Sequence, residues 1–181
     1  MMKEILSPLR PDLSAAQLEM FETYYVMLAD WNTRVNLTAI TAPEDVAKKH
    51  FLDSLAAAFY LKEGARVIDV GTGAGFPGLP LLILRPDLKL TLMDSLQKRL
   101  IFLEAVLQEL GLSAERVHAR AEEEGQNPKY REQYDAALTR AVSALPVLCE
   151  ITLPLVKVGG VSIAYKADAA EELAQAGNAL K

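Results

Sequence analysis

A short apolar run ends in a glycine-rich turn, and this feature limits the folds open to the chain more than any other. Residues 66–70 read Arg-Val-Ile-Asp-Val, and residues 71–75 follow directly as Gly-Thr-Gly-Ala-Gly. The β-branched run predicts a buried strand, and the glycines predict a turn whose backbone amides approach a ligand closely. An apolar helix is expected next, over residues 78–84. The sequence therefore predicts a strand, a ligand-binding turn and a helix in succession.

Strand-like and helix-like segments alternate from residue 65 onward. The predicted strands cover residues 66–70, 88–93, 116–119, 135–139 and 161–165. The clearest helix between them is expected to have Ser95 as its N-cap and to end at Gly111. This alternation predicts an α/β, Rossmann-like fold: a parallel sheet of order 3-2-1-4-5 with helices on both faces. A ligand should bind where strands one and four end, at the switch point of the sheet.

Two helices are predicted before the sheet. Residues 14–17 and 41–44 both have the capping-box pattern, and the first helix should run to about Trp31. The apolar stripe of the second helix is expected to comprise Leu52, Leu55 and Phe59.

The chain is thus expected to consist of an N-terminal helical cap, residues 1–62, and a Rossmann-like core, residues 63–181. The two parts should form one compact unit. A last helix is expected to begin near Asp168.

The composition excludes several classes of function. With 19 Lys and Arg against 24 Asp and Glu, the net charge is −5, so any contact with nucleic acid must be local. The apolar runs are much shorter than the roughly 20 residues of a membrane helix, and no secretory signal is visible. The single cysteine, Cys149, excludes an internal disulfide, and the chain has no recognisable metal-ligand pattern. We therefore expect a cytoplasmic protein without a metal or a membrane partner.

The spacing of the glycines distinguishes two kinds of nucleotide site. The dinucleotide pattern G-x-G-x-x-G requires a third glycine where Phe76 stands, which argues against a nicotinamide-dependent dehydrogenase. Asp69 precedes glycines at 71, 73 and 75, and this acid-x-G-x-G-x-G pattern is similar to the first motif of S-adenosylmethionine-dependent methyltransferases. Asp94 ends the second strand, where an acid receives ribose hydroxyls. The structural alternative is that both acids cap turns and the glycines only allow close packing.

Further motifs resemble one family, the bacterial small-subunit ribosomal RNA guanine-N7 methyltransferases, also called RsmG or glucose-inhibited division protein B. The motifs occur in order between residue 31 and about residue 166. They are Trp31-Asn32 with residues 36–38, residues 50–54, residues 69–78, residues 94–95 with 98–99, residues 120–122 and residues 140–141.

The resemblance implies S-adenosyl-L-methionine as the cofactor and 16S ribosomal RNA, or the small ribosomal subunit, as the partner of a monomeric enzyme. It places the glycine turn of Gly71, Gly73 and Gly75, with Phe76, at the methionine and sulfonium part of the cofactor. It assigns the ribose and adenine to Asp94, Ser95, Ala121 and Glu122.

The same resemblance makes Arg140 a cofactor-site residue, and its position after strand four makes it the best candidate for positioning the target base. The candidate substrate residues are Asn36, His50, Asp53 and Lys166. Each of three has a structural alternative to substrate contact. His50 and Asp53 could form a hydrogen-bonded pair on one helix, and Asn36 could be a turn residue.

Two departures from the family pattern leave other functions open. Family members usually continue beyond strand five with a helix and an antiparallel strand pair, whereas this chain ends at Lys181. Ala167 also stands where we expect a glycine. The strand pair is therefore expected to be missing, which would leave the edge of strand five unpaired. The alternatives to a ribosomal RNA methyltransferase are a truncated, inactive cofactor-binding fragment and a small-molecule methyltransferase.

Overall fold

A parallel sheet forms the centre of the protein in a computed structural model that describes residues 1–140, 142–166, 172–173 and 177. Within these residues the strand order is β3-β2-β1-β4-β5, as predicted. The strands are β1 (Arg66–Val70), β2 (Lys89–Asp94), β3 (Glu115–His118), β4 (Tyr134–Arg140) and β5 (Val156–Tyr165). β5 begins earlier than predicted because the Gly159-Gly160 pair lies inside the strand, opposite a register shift in β4. The predicted helix near Asp168 lies outside the described residues.

Helices cover the sheet between successive strands, which confirms the α/β prediction. They are α4 (Gly78–Leu84), α5 (Gln97–Leu110), α6 (Ala121–Glu124) and α7 (Leu145–Thr152), and a 3₁₀ turn, Leu153–Leu155, follows α7. Gly111 ends α5 in the left-handed conformation, as predicted. The prediction that Ser95 caps α5 was wrong. The N-cap is Leu96, whose N–H donates to the Asp94 carboxylate.

Two helices begin the chain, α1 (Met2–Leu9) and α2 (Ala15–Val35). The Ser14 hydroxyl accepts from the Gln17 N–H, and the Gln17 side chain accepts from the Ser14 N–H, so the predicted capping box is confirmed. α2 extends four residues past the predicted end at Trp31. It ends where Asn36 adopts the left-handed conformation, with φ 50°.

The second predicted helix differs most from expectation. It consists of α3 (Pro43–Asp45), a π-helix (Val46–Leu52) and a 3₁₀-helix (Leu55–Tyr60). The capping box predicted at residues 41–44 was wrong, because the N-cap is Ala42 and no side chain caps α3. A π-turn holds more residues than an α-turn, so the buried face is rotated relative to an α-helical stripe. Phe51 is consequently buried, whereas Phe59, assigned to the buried stripe, is 94% exposed.

The N-terminal helices pack on the glycine turn through aromatic side chains. The ring centroids of Phe21 and Phe51 are 5.0 Å apart, and those of Tyr24 and Phe76 are 5.5 Å apart. The Tyr24 hydroxyl donates to the Ala74 carbonyl inside the turn. One apolar cluster therefore contains residues of both the N-terminal helices and the sheet, and it fixes the position of the turn.

Two absences hold for the residues that the structure describes. No helix there is both long enough and apolar enough to cross a membrane. No group of three His, Cys, Asp or Glu side chains is placed to hold a metal ion.

Candidate functional site

The glycine turn between β1 and α4 has a backbone that other residues rarely adopt. Gly71, Gly73 and Gly75 have φ values of 68°, 60° and 100°. A Cβ atom at Gly71 would lie 2.7 Å from a methyl carbon of Val142, and one at Gly75 would lie 2.6 Å from the Tyr24 hydroxyl. The turn therefore requires glycine for its conformation, and Gly71 and Gly75 also need it for space.

Asp69 lies beneath this turn and organises it from inside. Its Oδ2 atom accepts hydrogen bonds from the Thr72 hydroxyl, at 2.6 Å, and from the Gly78 N–H, at 2.9 Å. Burial raises the pKa of this carboxyl to about 6. Among the described residues its Oδ1 atom has no hydrogen-bond partner. The structural interpretation of Asp69 as a turn cap thus agrees with its contacts.

Asp94 joins the turn to the second strand. Its carboxylate accepts from the Gly73 N–H at 2.8 Å and from the Leu96 N–H at 2.9 Å. The Arg99 guanidinium lies 3.3 and 3.4 Å from the two oxygens, at longer range. A carboxylate has about four acceptor positions, so a hydroxyl arriving at Asp94 would compete with the long Arg99 contacts before the short backbone ones.

A cavity lies beside Asp94 and brings together several predicted cofactor residues. Its volume is about 130 Å³. Predicted residues around it are Gly71, Asp94, Ser95, Ala121 and Glu122. Ligand pockets usually measure about 300–1,000 Å³, so this cavity is sized for part of a nucleoside cofactor. Val142, which the sequence did not single out, closes its side by contacting Gly71.

The other four predicted cofactor residues do not line this cavity: Gly73 and Gly75 lie in the turn, and Phe76 and Arg140 lie beyond it. Phe76 is 5% exposed and packs between the Tyr24 ring and the His50 ring, whose centroid is 4.5 Å away. Arg140 ends β4 and places its guanidinium carbon 4.9 Å from the centroid of Phe76. These two residues form a cation–π pair that connects the turn to a second cavity.

The second cavity is larger, about 620 Å³, and it is basic. It lies between the carboxyl end of β5 and the π- and 3₁₀-helices of the N-terminal part. The charged side chains that line it are Lys48, Lys49, Asp53, Arg140 and Lys166. Four cations and one carboxylate line it, so its lining is positive on a protein of net charge −5. Asp45 and Glu172, outside the lining, form ion pairs with Lys49 and Lys166 and offset part of this charge.

The candidate substrate residues divide into two groups. Asp53 and Lys166 line the basic cavity, and His50 lies next to Arg140, with 3.1 Å between its Nδ1 atom and the Arg140 Nη2 atom. Lys166 also forms an ion pair with Glu172 at 2.8 Å. Asn36 is exposed at the end of α2 and lines neither cavity, which agrees with its interpretation as a turn residue.

Several contributors were not identified from sequence. Tyr24 contacts the glycine turn, and Thr38 contacts His50. Val142 contacts Gly71, and Tyr165 donates to the Ser54 carbonyl. Only Thr38 lay in a motif, residues 36–38. The other three contacts join positions far apart in the chain, and no local spacing indicates them.

The stability of the protein should depend on the protonation of His50. Burial and the Arg140 charge lower the pKa of His50 to about 4, although the nearby Asp53 carboxylate acts to raise it. The unfolded chain therefore binds more protons between about pH 6.5 and pH 4, so the free energy of unfolding falls as the pH falls through this range. At about 1.36 kcal/mol per pKa unit, a pKa lowered by roughly 2.5 limits the loss to between about 3 and about 4 kcal/mol.

This expectation is checked by urea unfolding of the wild type and of His50→Asn at several pH values. The variant should lose less stability between pH 6.5 and pH 4 than the wild type. Asp69, whose raised pKa acts in the opposite direction, is present in both proteins and cancels in the difference. Parallel pH profiles for the two proteins would contradict the prediction.

Comparison with known sequences identifies the relatives of this chain. The family model described as rRNA small subunit methyltransferase G, or GidB, matches residues 17–180. A protein of Halalkalibacterium halodurans named Ribosomal RNA small subunit methyltransferase G is 54% identical over 173 residues, covering 93% of this chain and 73% of its own. A protein of the same name from Desulfitobacterium hafniense is 51% identical over 162 residues, covering 89% and 67%.

Solved structures with little sequence similarity share the fold. A SAM-dependent O-methyltransferase from Thermotoga maritima aligns with a TM-score of 0.58 and 20% identity, covering 84% of this chain and 54% of its own. Precorrin-6y C5,15-methyltransferase from Geobacter metallireducens aligns with a TM-score of 0.56 and 16% identity, covering 81% and 73%. The fold is that of class I S-adenosylmethionine-dependent methyltransferases. By its sequence, the chain belongs to the rRNA small subunit methyltransferase G family.

Proposed function

We propose that this protein transfers a methyl group from S-adenosyl-L-methionine to N7 of a guanine in 16S ribosomal RNA. The observation that carries the proposal is the 54% identity, over 93% of the chain, to a relative whose name states methylation of small-subunit ribosomal RNA. The choice of guanine N7 rests on the family resemblance of the motifs. The basic cavity beside Arg140 supports an anionic substrate.

The cavity beside Asp94 fits the nucleoside part of the cofactor. Gly71 and Val142 line one side of it, and the Asp94 carboxylate offers acceptors for two ribose hydroxyls. Ser95, Ala121 and Glu122 would border the ribose and adenine. When bound, S-adenosylmethionine supplies an electrophilic methyl group on a sulfonium centre.

The protein's own task is to position the base. Guanine N7 carries a lone pair and no proton, so no side chain has to act as a general base. Holding the reacting atoms about 3 to 3.5 Å apart is worth roughly 7 to 11 kcal/mol through effective concentration. Arg140 would hold guanine O6, since arginine donates readily to this atom. The base must leave its stack to enter the site.

The basic cavity would receive the flipped nucleotide. Lys48 and Lys49 are exposed beside it, where they would contact phosphates, and Lys166 lies at the opposite wall. Tyr60 is 70% exposed at the same cavity and offers an aromatic face to a base. Binding through a few phosphate contacts should weaken as salt rises.

We also propose the wider setting of this activity. Residues 1–62 would act as a cap that presents substrate residues to a catalytic core, residues 63–181, with both parts in one compact unit. The protein would work in the cytoplasm, where ribosomal RNA and the small subunit are found. It would act as a monomer.

The proposal is tested by transfer of tritiated methyl from S-adenosylmethionine to small-subunit ribosomal RNA, both naked and in particles. Nucleoside analysis of the product should find the label in 7-methylguanosine. Label in another nucleoside would overturn the choice of atom. Cofactor binding without transfer to either form of RNA would favour an inactive fragment or a small-molecule substrate.

Replacing Asp94 with alanine is expected to weaken the binding of S-adenosylmethionine by about 10-fold to 100-fold. A hydrogen bond to a charged group contributes about 1.5–3 kcal/mol, and the variant offers the ribose no carboxylate. Titration calorimetry measures the effect, and thermal unfolding without ligand reports the loss of the Gly73 and Leu96 contacts.

Asp30→Ala is the matched control. Asp30 is an exposed carboxylate paired with Arg34 on α2, away from both cavities, and surface pairs contribute little. Its cofactor affinity should equal that of the wild type. Unchanged affinity of Asp94→Ala would remove Asp94 from the cofactor site.

A further inference from the structure

The His50 ring is held between three fixed groups. It stacks on Phe76 with 4.5 Å between centroids and 18° between the ring planes. Its Nδ1 atom lies 3.1 Å from Arg140 Nη2, and its Nε2 atom lies 2.8 Å from the Thr38 hydroxyl oxygen. Both ring nitrogens are thus engaged, and the residue is only 9% exposed.

These contacts determine where the ring carries its proton. A guanidinium only donates hydrogen bonds, so the Nδ1 atom next to Arg140 must accept and carries no proton. The proton of neutral His50 is then on Nε2, which donates to the Thr38 hydroxyl. The same oxygen also accepts from the Ile40 N–H at 3.0 Å. A second proton on the ring would leave no acceptor for Arg140.

The charges around the ring favour the neutral form. The Arg140 guanidinium contacts Nδ1 directly, whereas the nearest opposite charge, Asp53, is 48% exposed and lies 3.3 Å from Arg140 Nη1. Asp69 is buried below the turn, and the Lys49 carbonyl accepts from Nη1 at 3.1 Å. A protonated ring would face a cation in contact, and burial would weaken its hydration.

Three of the five N–H groups of the Arg140 guanidinium have hydrogen-bond partners in the protein. Of its five N–H groups, two on Nη1 face Lys49 and Asp53, and one on Nη2 faces His50. In the part of the chain that the structure describes, the other two donate to no protein atom. Arg140 lines the basic cavity, and its side chain is 14% exposed.

We propose that neutral His50 is a positioning residue, which accepts from Arg140 through Nδ1 and holds the guanidinium over Phe76 at the basic cavity. It acts neither as a general base nor as a direct contact of guanine. Thr38 fixes the tautomer, so the N-terminal cap controls the geometry of a residue in the core. This inference rests on the proposed role of Arg140 in methyl transfer.

The two nitrogens are separated by substitution. The Oδ1 atom of asparagine is as many bonds from Cα as Nδ1, so His50→Asn keeps an acceptor for Arg140. Glutamine reaches instead to the position of Nε2, so His50→Gln keeps the Thr38 contact and loses the acceptor. His50→Ala loses both.

The kinetic test compares these variants in single-turnover methyl transfer to small-subunit ribosomal RNA. We expect His50→Ala and His50→Gln to lower the single-turnover rate constant by about tenfold or more, with an unchanged half-saturating concentration of the cofactor, because a misplaced group costs up to about 100-fold. His50→Asn should regain most of the rate. In the Arg140→Ala background, His50→Ala should cause no further loss. A His50→Asn rate as low as that of His50→Ala, or additive losses, would overturn the inference.

The tautomer is tested without RNA or turnover. The chain has two histidines, so long-range proton–nitrogen NMR spectra contain two ring systems, and His118→Gln assigns them. At pH 7 the His50 ring should be neutral with its proton on Nε2. A charged ring, or a proton on Nδ1, would overturn the inference even if methyl transfer occurs as proposed. Absence of methyl transfer in the wild type, with the expected tautomer, would instead overturn the proposed function.

Discussion

Arg140→Ala should lower the rate of methyl transfer to small-subunit ribosomal RNA by at least about tenfold while the fold stays intact. Arg140 lines the basic cavity, and two of its five N–H groups donate to no described protein atom, so they can donate to a base. A lost charge-assisted hydrogen bond costs about 1.5–3 kcal/mol. Since the side chain lies over Phe76 on one face only, its removal leaves the aromatic packing below in place. Single-turnover transfer of tritiated methyl measures the rate.

Two further variants separate the role of Arg140 from general effects. Arg34→Ala removes another arginine that lies over an aromatic ring, 5.3 Å from Trp31, but is 60% exposed on α2. Its rate should equal that of the wild type. Arg140→Lys keeps the charge and loses the planar fork, so it should not restore the rate. Wild-type turnover in Arg140→Ala would exclude the proposed role.

The central part of the fold was predictable because each signal is local. The run at residues 66–70, the turn at 71–75 and the helix at 78–84 follow one another, and each boundary carries its own glycine or proline. Gly111, in the left-handed conformation, ends α5 for the same reason. Alternating strands and helices then leave few topologies, and the order 3-2-1-4-5 agrees with the structure.

The segment from Pro43 to Tyr60 was not predictable from its local pattern. An α-helical stripe would place Leu52, Leu55 and Phe59 on one buried face, but the π-helix changes the number of residues per turn. Leu55 is buried as predicted, whereas Phe59 is exposed. His50 and Phe51, outside the predicted stripe, are turned inward and meet Phe76. Tertiary packing thus decides the backbone geometry at His50 and Phe51, the residues of this segment that contact Phe76.

The candidate site likewise contains residues that were predictable from sequence and residues that were not. Gly71, Asp94 and Ser95 lie at strand ends, where the sheet topology alone predicts a ligand. The contact between His50 and Arg140 joins positions 90 residues apart, and both residues pack on the Phe76 ring, which the resemblance assigns to the cofactor. No spacing in the sequence distinguishes a residue that contacts a ligand from one that supports such a residue.

Gly75→Ala should be among the most destabilising single substitutions in the glycine turn. Its φ of 100° is strained for any other residue, and a Cβ atom would lie 2.6 Å from the Tyr24 hydroxyl and 2.7 Å from a methyl carbon of Leu103. Neither neighbour can move freely, because Tyr24 donates to Ala74 and Leu103 is fully buried. Strain of about 1–3 kcal/mol adds to overpacking of about 1–3 kcal/mol. A total of about 3 kcal/mol lowers Tm by about 6 to 12 °C.

Gly111→Ala isolates the backbone contribution to this loss. Gly111 also has a positive φ, 65°, but nothing lies within 4 Å of the position of its Cβ atom. Its Tm should therefore fall by only the backbone strain, about 1 kcal/mol or about 2 to 4 °C. Calorimetric unfolding of both variants gives the difference, which measures how tightly Tyr24 of the N-terminal helices and Leu103 of α5 together hold the turn. Equal losses in the two variants would mean that Tyr24 and Leu103 yield, and that the cap does not constrain the turn.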